Sequence, residues 1–427
     1  VRYIYSFLLY LALPFLFLRL WWRSRRLPEY RERLGERLGY YPFTLKKCLW
    51  VHAVSVGEAI AAIPLIKALK SRYPDLPIVV TTMTPTGAAR VKAGLGESVT
   101  HVYIPYDYPG AVRRFLRAMH PVAGIIMETE LWPNLLAACH QLRIPVCLAN
   151  ARLSEKSARG YRRIKPLTRD MLQKIDVIAA HGKADADRFI ALGAPKDRVI
   201  VTGNLKFDLE VPRDLADKAS VLREALGKER FIWIAASTHE GEEEIVLTAH
   251  KKIMKTNQQA LLILVPRHPD RFDSAAALCQ QQELTVARRS RQDPCTTKTA
   301  VYLGDTMGEL LLMYAVSDAA FVGGSLIERG GHNILEPAAL GRPVLSGPHM
   351  FNFAEITQLF SDGEAITKVF DAESLAAEIE LLMQNSILRA QMGERALLIV
   401  AENRGALTKQ VNLICSVLDQ QKHVTVK

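Results

Sequence analysis

Residues 49–72 read LWVHAVSVGEAIAAIPLIKALKSR. The first seven are almost continuously apolar, without the in–out alternation of a strand that has one wet face. A strand of a parallel sheet, covered on both sides, has this pattern. Gly57 then turns the chain and Glu58 opens a helix over 58–72. Strand, tight turn and helix form the first half of a βαβ unit.

The same rhythm extends outward. Apolar runs at 78–82, 101–105, 122–128, 146–150, 177–180 and 199–202 predict further strands, with helices such as 109–118 and 184–192 between them. This is a doubly wound α/β domain. The stretch 207–227 breaks the rhythm with Pro212 and many charges. A second series follows at 231–236, 260–266, 300–304, 319–323, 343–346 and 366–369, with helices including 270–281 and 307–316. After 372 the chain reads as helical almost to its end, broken at Gly405. The expected division is 1–26, 27–210 and 211–427. Two open parallel sheets of similar size imply a cleft between domains. Ligands in such folds bind beyond the carboxyl ends of the strands, so the candidate residues are the polar ones just past each strand.

The N-terminal segment has a different character. Residues 3–18, YIYSFLLYLALPFLFL, carry no charge, and Arg19 to Arg37 then hold seven Arg against three Glu. A cleaved signal peptide has its positive charge before the apolar run, and here only Arg2 precedes it. The 16-residue run is shorter than the ~20 residues that span a bilayer comfortably, and Pro14 interrupts it. It reads as a short signal anchor or a helix lying in the interface, with Trp21 and Trp22 at headgroup level and the basic cluster on the cytoplasmic side; the alternative is a buried core helix, which has no use for the flanking Trp and Arg.

The net charge of +11 over 427 residues favours an anionic partner such as a phospholipid surface or a phosphorylated substrate. Beyond the anchor the basic excess is not interleaved with aromatics, which argues against nucleic acid. The six cysteines form no C-x-x-C pair and read as free thiols.

Six motifs follow strand ends. In HAVSVGE (52–58), Glu58 stands where a general base faces a ligand; a carboxylate there also suits the helix dipole. In METELWPN (127–134), Glu128 and Glu130 are two apart and point the same way in extended chain, as a paired-acid site or as support for the following helix. GNLKFD (203–208) offers Lys206 and VPRHP (265–269) offers Arg267, a phosphate fork or a solvated cation. GDTMGE (304–309) is a turn before a helix start, able to present backbone N–H groups to an anion or simply to cap. FVGGSLIERGGHNILEP (321–337) has four glycines and two glutamates eight apart, Glu328 and Glu336, in a loop that lets backbone approach a phosphate or ribose. No Walker loop, G-x-G-x-x-G or H-E-x-x-H is present, and Asp185-Ala-Asp187 falls in a helix where the two carboxylates diverge.

Taken in order with TTMTPTG (81–87), ANARLS (149–154) and STHEGEE (237–243), these motifs resemble the 3-deoxy-D-manno-octulosonic acid (Kdo) transferases. The resemblance runs from the N-terminal anchor to about residue 360. It implies an α/β GT-B fold, two Rossmann-like domains around a central cleft, with CMP held mainly by the C-terminal domain. The implied donor is CMP-Kdo and the implied acceptor the lipid A precursor (lipid IVA), in lipopolysaccharide inner-core synthesis at the cytoplasmic face of a Gram-negative inner membrane. No cofactor or metal is implied. By motif, Glu58 would be the general base, and Glu128 and Lys206 would stabilise the transition state. Pro266, Arg267, Met307, Gly308, Glu309, Asn333, Ile334, Leu335 and Glu336 would bind CMP, Ile334 being a departure from the family pattern. Kdo carries a carboxylate at its anomeric centre and CMP is the leaving group; attack from the face opposite CMP would invert the centre through an oxocarbenium-like transition state. CMP leaves with one phosphate rather than two, which lessens the need for a divalent metal. The competing expectations are a GT-B lipid glycosyltransferase using a UDP-sugar and a non-catalytic, membrane-bound nucleotide-binding protein.

Overall fold

The computed structural model describes residues 1–25 and 27–424; Arg26, the last of the basic run after the apolar segment, lies outside the described residues. The chain folds as two compact units, Val1–Asp208 with Arg404–Lys427, and Leu209–Asn403.

The first unit holds seven strands: β1 (Cys48–His52), β2 (Ile78–Thr82), β3 (Thr100–Tyr103), β4 (Pro121–Met127), β5 (Val146–Ala151), β6 (Val177–Ala180) and β7 (Val199–Val201). All pairings are parallel, in the order β3-β2-β1-β4-β5-β6-β7. The continuous apolar run of β1 has a direct cause. Cys48 and Trp50 enter a core shared with Phe115 and Leu136, while Leu49 and Val51 enter a second one with Leu65 and Leu69. β1 stops at His52, three residues sooner than its apolar run. Ser55 then caps the helix Val56–Arg72, so Gly57 sits inside the first turn and makes no turn of its own.

The last helix, Ala406–Val424, corrects the expected 211–427 domain: it belongs to the first unit. Ala406, Ile414 and Leu418 pack into the core that contains Leu49 and Val51. Its start is held by Asp208, whose carboxylate accepts the N–H groups of Gly405 (2.6 Å) and Leu407 (2.7 Å). Gln410 is fully buried; its Oε1 accepts from the Asn150 N–H (2.9 Å) and its Nε2 donates to Thr202 Oγ1 (3.1 Å). Gln410→Ala leaves these groups unpaired and is expected to lower stability by roughly 1–3 kcal/mol, read from the denaturant midpoint.

The N-terminal helix runs from Arg2 to Ser24, straight through Pro14, and is long and apolar enough to cross a membrane. The expected interruption at Pro14 does not occur. One stripe of the helix lies on the first unit: Ser6 Oγ donates to Asn134 Oδ1 (3.0 Å), and the Tyr108 hydroxyl donates to the Leu9 carbonyl (3.0 Å). Phe7, Leu8, Leu11, Phe15, Leu18, Trp21 and Trp22 are exposed.

The second unit is built alike from β8 (Ile232–Thr238), β9 (Leu261–Pro266), β10 (Val286–Arg288), β11 (Val301–Leu303), β12 (Ala319–Val322), β13 (Val344–Ser346) and β14 (Ile366–Lys368). All are parallel, in the order β10-β11-β9-β8-β12-β13-β14. β10 is an edge strand that the sequence does not announce: its residues, Val-Ala-Arg, form no apolar run, and only Ala287 is buried. The helix expected over 307–316 is the shorter Leu310–Ala315. Among the described residues all six cysteines are free thiols.

Candidate active site

Glu58 lies in the first turn after β1 and is 7% exposed. Its carboxylate accepts the Val54 N–H (2.8 Å) and the Ser55 hydroxyl (2.9 Å). It therefore braces the helix start, as position alone suggested, but it is not a solvated cap. Burial raises its pKa to about 7, against the two hydrogen bonds and with help from the charges of Glu128 and Glu130. A carboxyl balanced near neutrality is what a general base needs.

The structure brings Glu128 and Glu130 into the electrostatic field of Glu58. It does not place them as an extended pair. β4 ends at Met127 and Glu128 has a left-handed backbone, φ 55°, so the period-two argument fails there. Support for the following helix, Pro133–Gln141, comes from elsewhere. Asp107 accepts the N–H groups of Asn134 (2.9 Å) and Leu135 (2.8 Å), which frees Glu128 and Glu130 from that duty. Glu130 accepts the Trp132 indole N–H (2.9 Å), and burial raises its pKa.

Lys206 follows β7 in a one-turn 3₁₀ helix, Leu205–Phe207, capped by Asn204. It lies near His181, whose pKa is depressed to about 3 by burial first and then by the charges of Lys206 and Arg152. In the diverging Asp185-Ala-Asp187 pair, Asp185 serves the fold, because it accepts the Leu153 N–H (2.7 Å) and faces Arg188.

In the second unit Pro266 ends β9, and the Arg267 N–H donates to the Thr238 carbonyl (2.9 Å). Beyond β11, Met307 is exposed and Gly308 has φ 84°. Glu309 accepts two hydrogen bonds from Arg289 (2.7 and 3.0 Å), which hold its carboxyl below the usual range. Glu309 and Arg289 line a groove of about 520 Å³ with Asp217, Lys218, Val221 and Leu312. Past β12, Asn333 accepts the Leu335 N–H (3.2 Å) and donates to Glu336 (3.1 Å), opening the short helix Leu335–Ala338. Ile334 and Leu335 are fully buried, so only their backbone is available to a ligand.

The sequence reading missed Glu242 and the neighbouring histidines. Glu242, fully buried, accepts the N–H groups of Gly324 (2.7 Å), Ser325 (3.0 Å) and Leu326 (2.9 Å). It is the anchor of the glycine loop. A Cβ on Gly323 would come within 2.7 Å of its carboxylate. Packing inside the protein, and not only approach to a ligand, thus demands a glycine here. The available signal was three successive glutamates, 242–244, opening one helix.

Both units are doubly wound, with their candidate residues beyond strand ends. The same overall fold occurs in the crystal structure of UDP-GlcNAc 2-epimerase from Neisseria meningitidis bound to UDP-GlcNAc, at a TM-score of 0.57 and 15% identity, covering 86% of this chain and 99% of that one. A family model described as "Glycosyl transferases group 1" matches residues 218–398. The chain is a glycosyltransferase of GT-B type.

A second model, "3-Deoxy-D-manno-octulosonic-acid transferase (kdotransferase)", matches residues 32–209. The 3-deoxy-D-manno-octulosonic acid transferase of Haemophilus influenzae is 42% identical over 98% of this chain and 99% of its own length. That of Bordetella pertussis is 35% identical over 97% and 98%. The chain belongs to the 3-deoxy-D-manno-octulosonic acid transferase family.

Proposed function

We propose that this protein transfers Kdo from CMP-Kdo to a hydroxyl of the lipid A precursor, with inversion at the anomeric carbon. The observation that carries the reading is Glu58: a buried carboxyl at the carboxyl end of β1, poised near pH 7 beside two further acids. As carboxylate it takes the proton of the acceptor hydroxyl while that oxygen attacks the anomeric carbon and the bond to CMP breaks. Glu128, within the same acid group, stabilises positive charge on the sugar in the transition state, and Lys206 steadies developing negative charge. Pro266, Arg267, Met307 to Glu309 and Asn333 to Glu336 hold CMP, and Arg267 takes up the charge of the departing phosphate.

The division of labour is an N-terminal acceptor domain and a C-terminal donor domain. The N-terminal helix holds the enzyme on the cytoplasmic face of the inner membrane. Its apolar residues from Phe7 to Leu18 sit in the lipid, and the basic residues that follow meet anionic headgroups.

The deciding experiment offers CMP-Kdo or a UDP-sugar with a tetraacylated, bisphosphorylated lipid A precursor and follows nucleotide release and product mass. CMP release with a Kdo-extended lipid is expected. Activity with the UDP-sugar alone overturns the donor assignment and leaves the fold untouched. In the same assay Arg267→Ala is expected to raise KM for CMP-Kdo about tenfold or more, the worth of a hydrogen bond to a charged group.

A further inference from the structure

Three imidazoles gather at the carboxyl edge of the second sheet. His239 follows β8, His268 lies two residues past β9, and His332 sits in the glycine loop past β12. β9, β8 and β12 are adjacent at the centre of that sheet. The rings of His239 and His332 lie nearly coplanar (9°) and edge to edge, with centroids 5.1 Å and Nε2 atoms 2.8 Å apart, so one nitrogen donates to the other. His268 meets His239 edge-on at 5.5 Å. The pairing is built in. A Cβ on Gly324 would lie 2.8 Å from the His332 ring, and the Glu242 carboxylate that holds the Gly324 N–H also reaches the His239 N–H (3.4 Å).

Around the pair the charge is one-sided. Arg267, Arg271 and Arg329 bear on His239, and Arg267 bears on His332. The neighbouring carboxylates are engaged: Glu242 with backbone, Glu243 with Arg271, and the exposed Glu240 also with Arg271. With burial as the larger cause, this cationic field depresses His239 to about 4 and His332 to about 3. Both rings are half-buried and His268 is exposed, so the cluster can be reached from solvent. The arginines therefore set the two rings in a positive field. An anion arriving there would offset the field and let the histidine pair take up a proton.

We infer that His239 and His332, with His268 and Arg267 beside them, hold an anionic oxygen of the donor and so help select a sugar acid. The inference rests on the CMP-Kdo reading above. The anion is the sugar carboxylate or the donor phosphate, and the two are separable because CMP carries only the phosphate. The test measures dissociation constants for CMP-Kdo and CMP without acceptor, between pH 6 and 8, for the wild type and for His239→Gln, His332→Gln and the exposed-site variant His268→Gln. Thermal midpoints check that each variant is folded.

The wild type is expected to bind CMP-Kdo, a diester that does not itself titrate in this range, more tightly as pH falls. The His239 and His332 variants should flatten that slope and weaken CMP-Kdo about tenfold or more. His268→Gln is expected to weaken it less. A loss confined to CMP-Kdo assigns the carboxylate; an equal loss on CMP assigns the phosphate. Folded variants that keep the wild-type affinity and slope overturn the histidine site alone. A wild type that binds a UDP-sugar but neither CMP-Kdo nor CMP overturns the donor reading and this inference with it.

Discussion

Glu58→Gln is expected to lower kcat by about 10²–10⁴-fold, the usual contribution of a positioned general base, with CMP affinity unchanged. Glutamine is the informative replacement because it keeps an oxygen to accept the Val54 N–H and so preserves the start of the helix Val56–Arg72. Alanine removes base and brace together. The pH profile carries a second signature. Burial holds the Glu58 carboxyl at about 7, so the wild-type rate should fall as pH drops through 7 and the base becomes protonated. Stability should run the other way. A carboxyl whose pKa is raised on folding favours the folded state while protonated and loses that contribution as pH rises through about 7. Glu58→Gln never ionises. At pH 8 it is expected to be more stable than the wild type, by an amount on the order of 1–3 kcal/mol, with the difference vanishing below pH 5. A variant that is inactive and also less stable at pH 8 would mean that Glu58 is a structural brace and not the base.

The largest loss of stability is expected from Glu242→Ala, roughly 3 kcal/mol or more. The change removes the acceptor for three backbone N–H groups, those of Gly324, Ser325 and Leu326, at a fully buried position. Those groups begin the loop that carries His332 and Asn333, so donor affinity should fall with stability. Glu242→Gln does not rescue it. Each carboxylate oxygen faces at least one N–H, and an amide would turn a donor toward a donor. Chemical denaturation, with limited proteolysis across 323–333, checks both effects. A folded, protease-resistant Glu242→Ala protein would show that the loop holds itself.

Much of this was legible in the sequence because it is local. An apolar run with no alternation, ending in a polar residue and a helix start, is a parallel strand wherever it occurs. The limits of β2, β6 and most other strands differ little from the runs that announced them. The strand-end position of Glu58, Lys206 and Arg267 follows from the same local reading. What escaped it depends on partners distant in the chain. Ala406–Val424 reads as an amphipathic helix in any context; only its fit against Leu49, Val51 and Asn150 assigns it to the first unit. β10 exists because β11 offers it an edge. Glu128 leaves the extended region through a backbone dihedral that no side-chain pattern encodes.

Charge and environment divide in the same way. The sequence by itself determined two doubly wound parallel-sheet units, an apolar N-terminal helix followed by basic residues, and a series of motifs placed past strand ends. Hydrophobic periodicity and turn chemistry act over a few residues and are written in order. Tertiary structure alone decided that Glu58 and Asp107 are buried and poised near neutrality, that Asp107 rather than Glu128 serves the helix Pro133–Gln141, and that three histidines from beyond three strands meet among arginines. Desolvation and Coulomb interactions depend on distance in space and on what excludes water, and neither is a property of position along the chain.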